Sequence, residues 1–173
     1  MKKVLIVIDV QNDFIDGSLG TKEAKAIVSK VKDKINDYID KGYTVFFTRD
    51  THFKDYLSTK EGENLPVEHC IKNTNGWQIG IEVTPGTYNI LDKNTFGYPE
   101  WDKVIPYKSD GKLIIELCGL CTDICVITNT LIIRTVRSEA EIIVDANCCA
   151  GSTPDRHKAA LEVMRSCQIT VKE

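Results

Sequence analysis

The stretch Lys112–Thr130, KLIIELCGLCTDICVITNT, constrains the fold more than any other. Its aliphatic start, Lys112–Leu117, reads as a buried strand; a small-residue turn follows over Cys118–Asp123, and Cys125–Val136 has the apolar periodicity of a helix. A strand that passes through a tight turn into a helix is the building unit of a parallel sheet. Cys125 then falls in the first turn of that helix. Unpaired backbone N–H groups and the positive end of the helix dipole favour a thiolate there, and the exposed end of a parallel strand is where α/β proteins place their chemistry. Two readings stand at this point: a cysteine nucleophile, or a small buried hydrophobe such as most free cysteines are.

The rest of the chain repeats the unit. Lys3–Val10 is a continuous aliphatic run, as expected of a strand covered on both faces, and it ends in the polar residues Asp9 and Gln11. Thr21–Lys41 sets Ala24, Ile27, Val28, Val31, Ile35 and Tyr38 on one helical face before the stop at Gly42. Strands are expected at Tyr43–Arg49, Asn89–Leu91, Glu141–Asp145 and Ile169–Val171, and helices at Pro99–Ile105 and Pro154–Ser166. Six strands with interposed helices and no hairpin turns predict a three-layer α/β/α sandwich, Rossmann-like, around a six-stranded, mostly parallel sheet. With 173 residues, 42% of them hydrophobic, the expectation is one domain over 1–173. Between Asp50 and Thr84 lies a long polar segment with little periodicity, and loops of that length are usually functional.

Charge and cysteine usage narrow the partners. A formal net charge of -3 with both signs interspersed provides neither a basic stripe for nucleic acid nor a polybasic face for a membrane, which leaves a small soluble substrate. Met-Lys-Lys before Val4–Ile8 has the start of a secretion signal, but Asp9 breaks the apolar run. Seven cysteines without a loop-rich scaffold fit reduced thiols, so a cytoplasmic location is expected. Asp9-Val10-Gln11-Asn12 stands where a glycine-rich phosphate loop would follow the first strand, which disfavours nucleotide binding.

Three polar residues occupy strand ends. Asp9 follows five aliphatics and needs a cation or a donor to offset its burial; Lys93 and Cys125 would supply a cation and a thiol on the same rim of the sheet. Taken singly, Asp9 reads rather as a turn cap and Lys93 as a solvated side chain; it is the three together that point to a site.

Ile8-Asp9-Val10-Gln11-Asn12-Asp13-Phe14, Lys93-Asn94-Thr95-Phe96-Gly97 and Gly119-Leu120-Cys121-Thr122-Asp123-Ile124-Cys125-Val126 resemble the three motifs of the isochorismatase-like cysteine hydrolases. That superfamily includes the nicotinamidases and pyrazinamidases. The motifs follow its order and spacing over nearly the whole chain. The resemblance implies a catalytic triad of Asp9, Lys93 and Cys125, and an oxyanion hole from the backbone N–H groups of Cys121 and Cys125, with a cis peptide at Leu120-Cys121. It also implies one divalent metal on Asp50, His52 and His69, with zinc first and manganese or iron as alternatives. Many nicotinamidases add another histidine between these; this chain has none, and Glu61 is the substitute. Without the resemblance, two histidines in a polar loop read as solvated.

Phe14, Gln11, Phe96 and Leu120 are the expected substrate pocket, with Trp77 and Tyr98 as further aromatic walls. Cys118 and Cys121 form a C-x-x-C, and with Cys148 and Cys149 read as packing at strand ends rather than a zinc site; His157 reads as structural. The implied reaction is hydrolysis of nicotinamide to nicotinate and ammonia through a thioester, in a homo-oligomer. Other small amides or ureido acids are the alternative within the family, isochorismate being disfavoured by the metal loop. A non-catalytic α/β binding module is the alternative outside it.

Overall fold

The computed structural model describes residues 2–105 and 112–173. In chain order the elements are β1 (Lys2–Ile8), α1 (Asn12–Ile15), α2 (Lys22–Asp40), β2 (Thr44–Asp50), a 3-10 turn (Tyr56–Ser58) and α3 (Lys60–Asn64). They continue as β3 (Asn89–Lys93), α4 (Trp101–Val104), β4 (Leu113–Leu120), a π-helical turn (Thr122–Val126), α5 (Ile127–Val136), β5 (Glu141–Ala150), α6 (Pro154–Ser166) and β6 (Thr170–Lys172). The strands pair in parallel in the order β3-β2-β1-β4-β5-β6. The chain therefore begins in the middle of the sheet, runs to one edge, returns beside β1 and runs to the other. The reversal opens a crevice between the carboxyl ends of β1 and β4, where open α/β sheets bind ligands.

Both central strands are covered on both faces: Val4–Ile8 and every residue of β4 are buried. A side chain pointing to either face must then be apolar or paired. Glu116 of β4 is paired: Lys34 of α2 lies 2.5 Å from its carboxylate and the Tyr38 hydroxyl donates to it at 2.6 Å. Lys34 also reaches Asp145 at 2.7 Å, so α2 is fastened to β4 and β5 by charge as well as by its apolar face of Ala24, Ile27, Val31, Ile35 and Tyr38. Thr21 caps α2 by accepting from the Ala24 N–H at 3.0 Å, and Thr153 caps α6 ahead of Pro154.

Differences from the sequence expectation fall at strand ends. β1 stops at Ile8, because Asp9 turns out of the strand with φ +48°. β4 runs on to Leu120, and β5 continues past Asp145 to Ala150 across a register shift opposite Leu117 and Gly119. Gly119 has φ +123°, and a Cβ there would collide with the Ile8 carbonyl; only glycine lets the two strand ends approach this closely. The helix after β4 begins at Ile127, two residues beyond Cys125.

Candidate active site

Asp9, Lys93 and Cys125 converge at the crevice. Lys93, the last residue of β3, places Nζ 2.6 Å from Asp9 Oδ2 and 3.6 Å from Cys125 Sγ, with its side chain fully shielded from solvent. It also donates to the Thr95 carbonyl at 3.2 Å. The Thr48 hydroxyl of β2 donates to Asp9 Oδ1 at 2.6 Å and accepts the Asp9 N–H at 3.2 Å, so the carboxylate is oriented from its own backbone outward. Burial, opposed by the Lys93 charge, pushes the Asp9 carboxyl up and raises its affinity for a proton. Burial also pushes the Cys125 thiol up, together with the Asp9 charge and against Lys93. Lys93 is held above the ordinary range: burial works to lower it, but Asp9, Cys125 and Asp50 outweigh that. The arrangement is a base with raised proton affinity, a thiol, and a fixed cation between them.

The turn that carries Cys125 is held from both sides. Its wide loop closes with the Val126 N–H on the Cys121 carbonyl at 3.1 Å, five residues back, and the Leu120-Cys121 peptide is cis. Asp123 accepts the Ser152 N–H at 2.7 Å and its hydroxyl at 2.6 Å, while the Thr122 hydroxyl pairs with His157 Nδ1 at 2.8 Å. His157 thus anchors the turn to α6, in keeping with a structural role. Cys118, Cys148 and Cys149 are free and buried beside the strand ends.

A second cluster shares a wall with the first. Asp50, His52, Glu61 and His69 each offer one ligand atom within 4.8 Å of all the others. His69 Nδ1 contacts the Val67 carbonyl at 2.8 Å, a bond that requires its proton on Nδ1 and leaves the Nε2 lone pair facing the cluster. Thr59 caps α3 through the Gly62 N–H at 3.1 Å and thereby delivers Glu61, 3.7 Å from Nε2 of both histidines. Burial works to raise the Asp50 carboxyl, but the His52 imidazole at 3.0 Å, the His69 imidazole at 3.6 Å and the Lys93 charge hold it well below the usual carboxylate range. A carboxylate pair with two imidazoles suits a divalent transition metal. Asp50 Oδ1 lies 3.4 Å from Lys93 Nζ, which links the two clusters.

A model of the isochorismatase domain matches residues 3–173. The chain belongs to that family. This isochorismatase-family chain is 26% identical to a nicotinamidase of Schizosaccharomyces pombe across 96% of its own length and 91% of the relative's. It is 27% identical to the nicotinamidase/pyrazinamidase of Mycobacterium tuberculosis, over 96% of both chains. The crystal structure of Pyrococcus horikoshii pyrazinamidase in complex with zinc matches it with a TM-score of 0.86 at 26% identity, covering 100% of this chain and 99% of that one.

In this family member the four expected pocket residues are placed differently from one another. Phe14 packs against His69 with ring centroids 5.5 Å apart, Phe96 is 45% exposed on the segment after Lys93, and Leu120 is buried at the end of β4. Gln11 is fully buried: its Nε2 donates to the carbonyls of Asp50 and Trp77, both at 2.9 Å, and its Oε1 accepts the Asp50 N–H at 2.7 Å. With both amide hydrogens committed, Gln11 acts on the site by fixing the backbone of Asp50, a candidate metal ligand. Trp77 is likewise occupied, its indole N–H on Thr51 at 2.8 Å and its ring under Arg49 at 3.6 Å. Sequence reasoning missed Thr48 and Asn129. The available signal was a hydroxyl in the aliphatic strand before Asp50 and an amide one helical turn after Cys125.

Proposed function

We propose that this isochorismatase-family amidohydrolase converts nicotinamide to nicotinate and ammonia, with Asp9, Lys93 and Cys125 as its catalytic residues. The observation that carries the reading is the position of Lys93 Nζ, 2.6 Å from Asp9 and 3.6 Å from Cys125, against a four-ligand cluster that shares Asp50 with it.

Asp9 takes the Cys125 proton, Lys93 holds the two negative centres in register, and the thiolate attacks the carboxamide carbon. The backbone N–H groups of Cys121 and Cys125 receive the developing oxyanion, at about 3 kcal/mol for each effective donor. The tetrahedral adduct collapses as Asp9 returns its proton to the leaving nitrogen, giving a thioester and ammonia. Asp9 then deprotonates a water that attacks the thioester carbonyl and releases the acid, with the thiol restored. Asp50, His52, Glu61 and His69 would hold a divalent ion, zinc by analogy with the pyrazinamidase crystallised with it, and that ion would supply an anchor for a ring nitrogen.

Comparison of kcat/KM for nicotinamide and benzamide tests this. Benzamide keeps the amide and loses the ring nitrogen, so it is expected to be poorer by roughly 2–4 kcal/mol of transition-state stabilisation. Equal values would show that the ring nitrogen is not read. Turnover of neither, in protein with metal bound, would move the assignment to another small amide.

A further inference from the structure

Asn129 sits one helical turn after Cys125, in the run Ile127–Val136 whose other residues are aliphatics, threonines and Arg134. Its amide makes four hydrogen bonds while fully buried. Nδ2 donates to the Cys125 carbonyl at 2.7 Å and to the Phe96 carbonyl at 3.1 Å. Oδ1 accepts the Tyr98 N–H and the Trp101 indole N–H, both at 2.8 Å. A primary amide has two donors and two acceptor lone pairs, so every capacity is used.

The partners divide into two groups. One is the turn that carries the thiol; the other is the segment that leaves Lys93, whose ammonium is itself bonded to Thr95. The neighbouring Thr128 and Thr130 hydroxyls also bond the carbonyl four residues back, at 2.6 and 2.7 Å, and among the described residues neither makes a further hydrogen bond. Helix stability alone is therefore served by a hydroxyl. The amide at 129 adds a bridge between the nucleophile's backbone and the chain that delivers the cation.

We infer that Asn129 is a positioning residue of the hydrolysis, setting the Cys125 thiol against the Lys93 ammonium by tying the Cys125 carbonyl to the Phe96–Trp101 segment. This rests on the reading of Cys125 as nucleophile. Asn129 itself exchanges no proton and takes no charge. Its effect runs through a separation, and misplacing a reacting group by about 1 Å costs on the order of 100-fold in rate.

The test uses Asn129→Ala and Asn129→Ser, with kcat and KM on nicotinamide and the pH profile of Cys125 alkylation by iodoacetamide, both read well below each variant's Tm. Serine can restore the bond to the Cys125 carbonyl, as Thr128 and Thr130 do theirs, but cannot span to Phe96, Tyr98 and Trp101. It therefore carries the test should the alanine variant not fold. Both variants are expected to lose about 10- to 100-fold in kcat with KM little changed. The alkylation midpoint should move to higher pH as the ammonium loosens from the thiol. Wild-type kcat and an unmoved alkylation profile in folded Asn129→Ser, with only Tm lowered, would overturn the inference. If the wild-type protein releases no ammonia from any amide, the amidase reading fails, and the alkylation profiles still decide whether Asn129 places the thiol.

Discussion

At the scale of single residues, Lys93 has the hardest electrostatic task, because it is the shared counter-ion of Asp9, Asp50 and the Cys125 sulfur. Lys93→Ala leaves two buried carboxylates beside a thiol that must ionise, so turnover should fall by at least about 1,000-fold, and Cys125 alkylation should need a higher pH than in wild type. Stopped-flow alkylation together with ammonia release reads both. Cys125→Ala and Asp9→Asn should abolish turnover while keeping the wild-type circular dichroism spectrum; ammonia release by folded Cys125→Ala at the wild-type rate would end the triad assignment. Asp9 stood out in the chain because it ends a buried run, where an ionisable group is costly, whereas Lys93 and Cys125 stood out through the motifs that carry the family resemblance. Thr48 and Asn129 did not. A hydroxyl inside a strand and an amide inside a helix are neutral and small, and only the tertiary partners of each reveal the task it performs.

Among the elements, the segment from β2 to β3 decides whether the protein holds a metal. Its histidines and Asp50 stood out only through the family resemblance, whereas the 3-10 turn Tyr56–Ser58 and α3 did not stand out at all, since elements of three to five residues carry no period to detect. Those pieces matter because α3 is what brings Glu61 to the histidines. Elemental analysis should find close to one divalent transition-metal ion per chain, lost in His52→Ala. Glu61→Gln keeps a neutral oxygen donor and should weaken binding, about 10- to 100-fold by competitive chelation, without eliminating it. Unchanged affinity in that variant would remove Glu61 from the ligand set. Stripping the metal with a chelator should lower Tm through mass action and leave the Asp9–Lys93 pair in place.

For the molecule as a whole, alternating aliphatic runs and amphipathic helices were enough to read the parallel sheet, but no local signal told β4 and β5 to run on past Leu117 and Asp145, because that extension follows from pairing across the sheet. Glu116 binds the layers together below the crevice. Burial alone would raise its carboxyl, yet hydrogen bonds from Lys34 and Tyr38 and the Lys34 charge hold it below the ordinary value. Its contribution to stability is therefore full above the unfolded pKa of about 4.3 and is lost as pH falls through the depressed folded value. Glu116→Ala should cost about 2 kcal/mol at neutral pH, because it leaves Lys34 on Asp145 alone and the Tyr38 hydroxyl without its acceptor, and the loss of Tm on acidification below pH 4 should be shallower than in wild type. The wide turn at Thr122–Val126 has a consequence of another kind. It takes up the mismatch between a strand end fixed by the sheet and a helix fixed by its own packing, so the sulfur is addressed by the helix. Cys125, Asn129 and Ile133 share one buried face at intervals of a single turn. Ile133→Ala, two turns from the thiol, should therefore lower kcat as well as Tm, and an unchanged kcat would show that the sulfur is placed independently of that stretch of the hydrophobic interior.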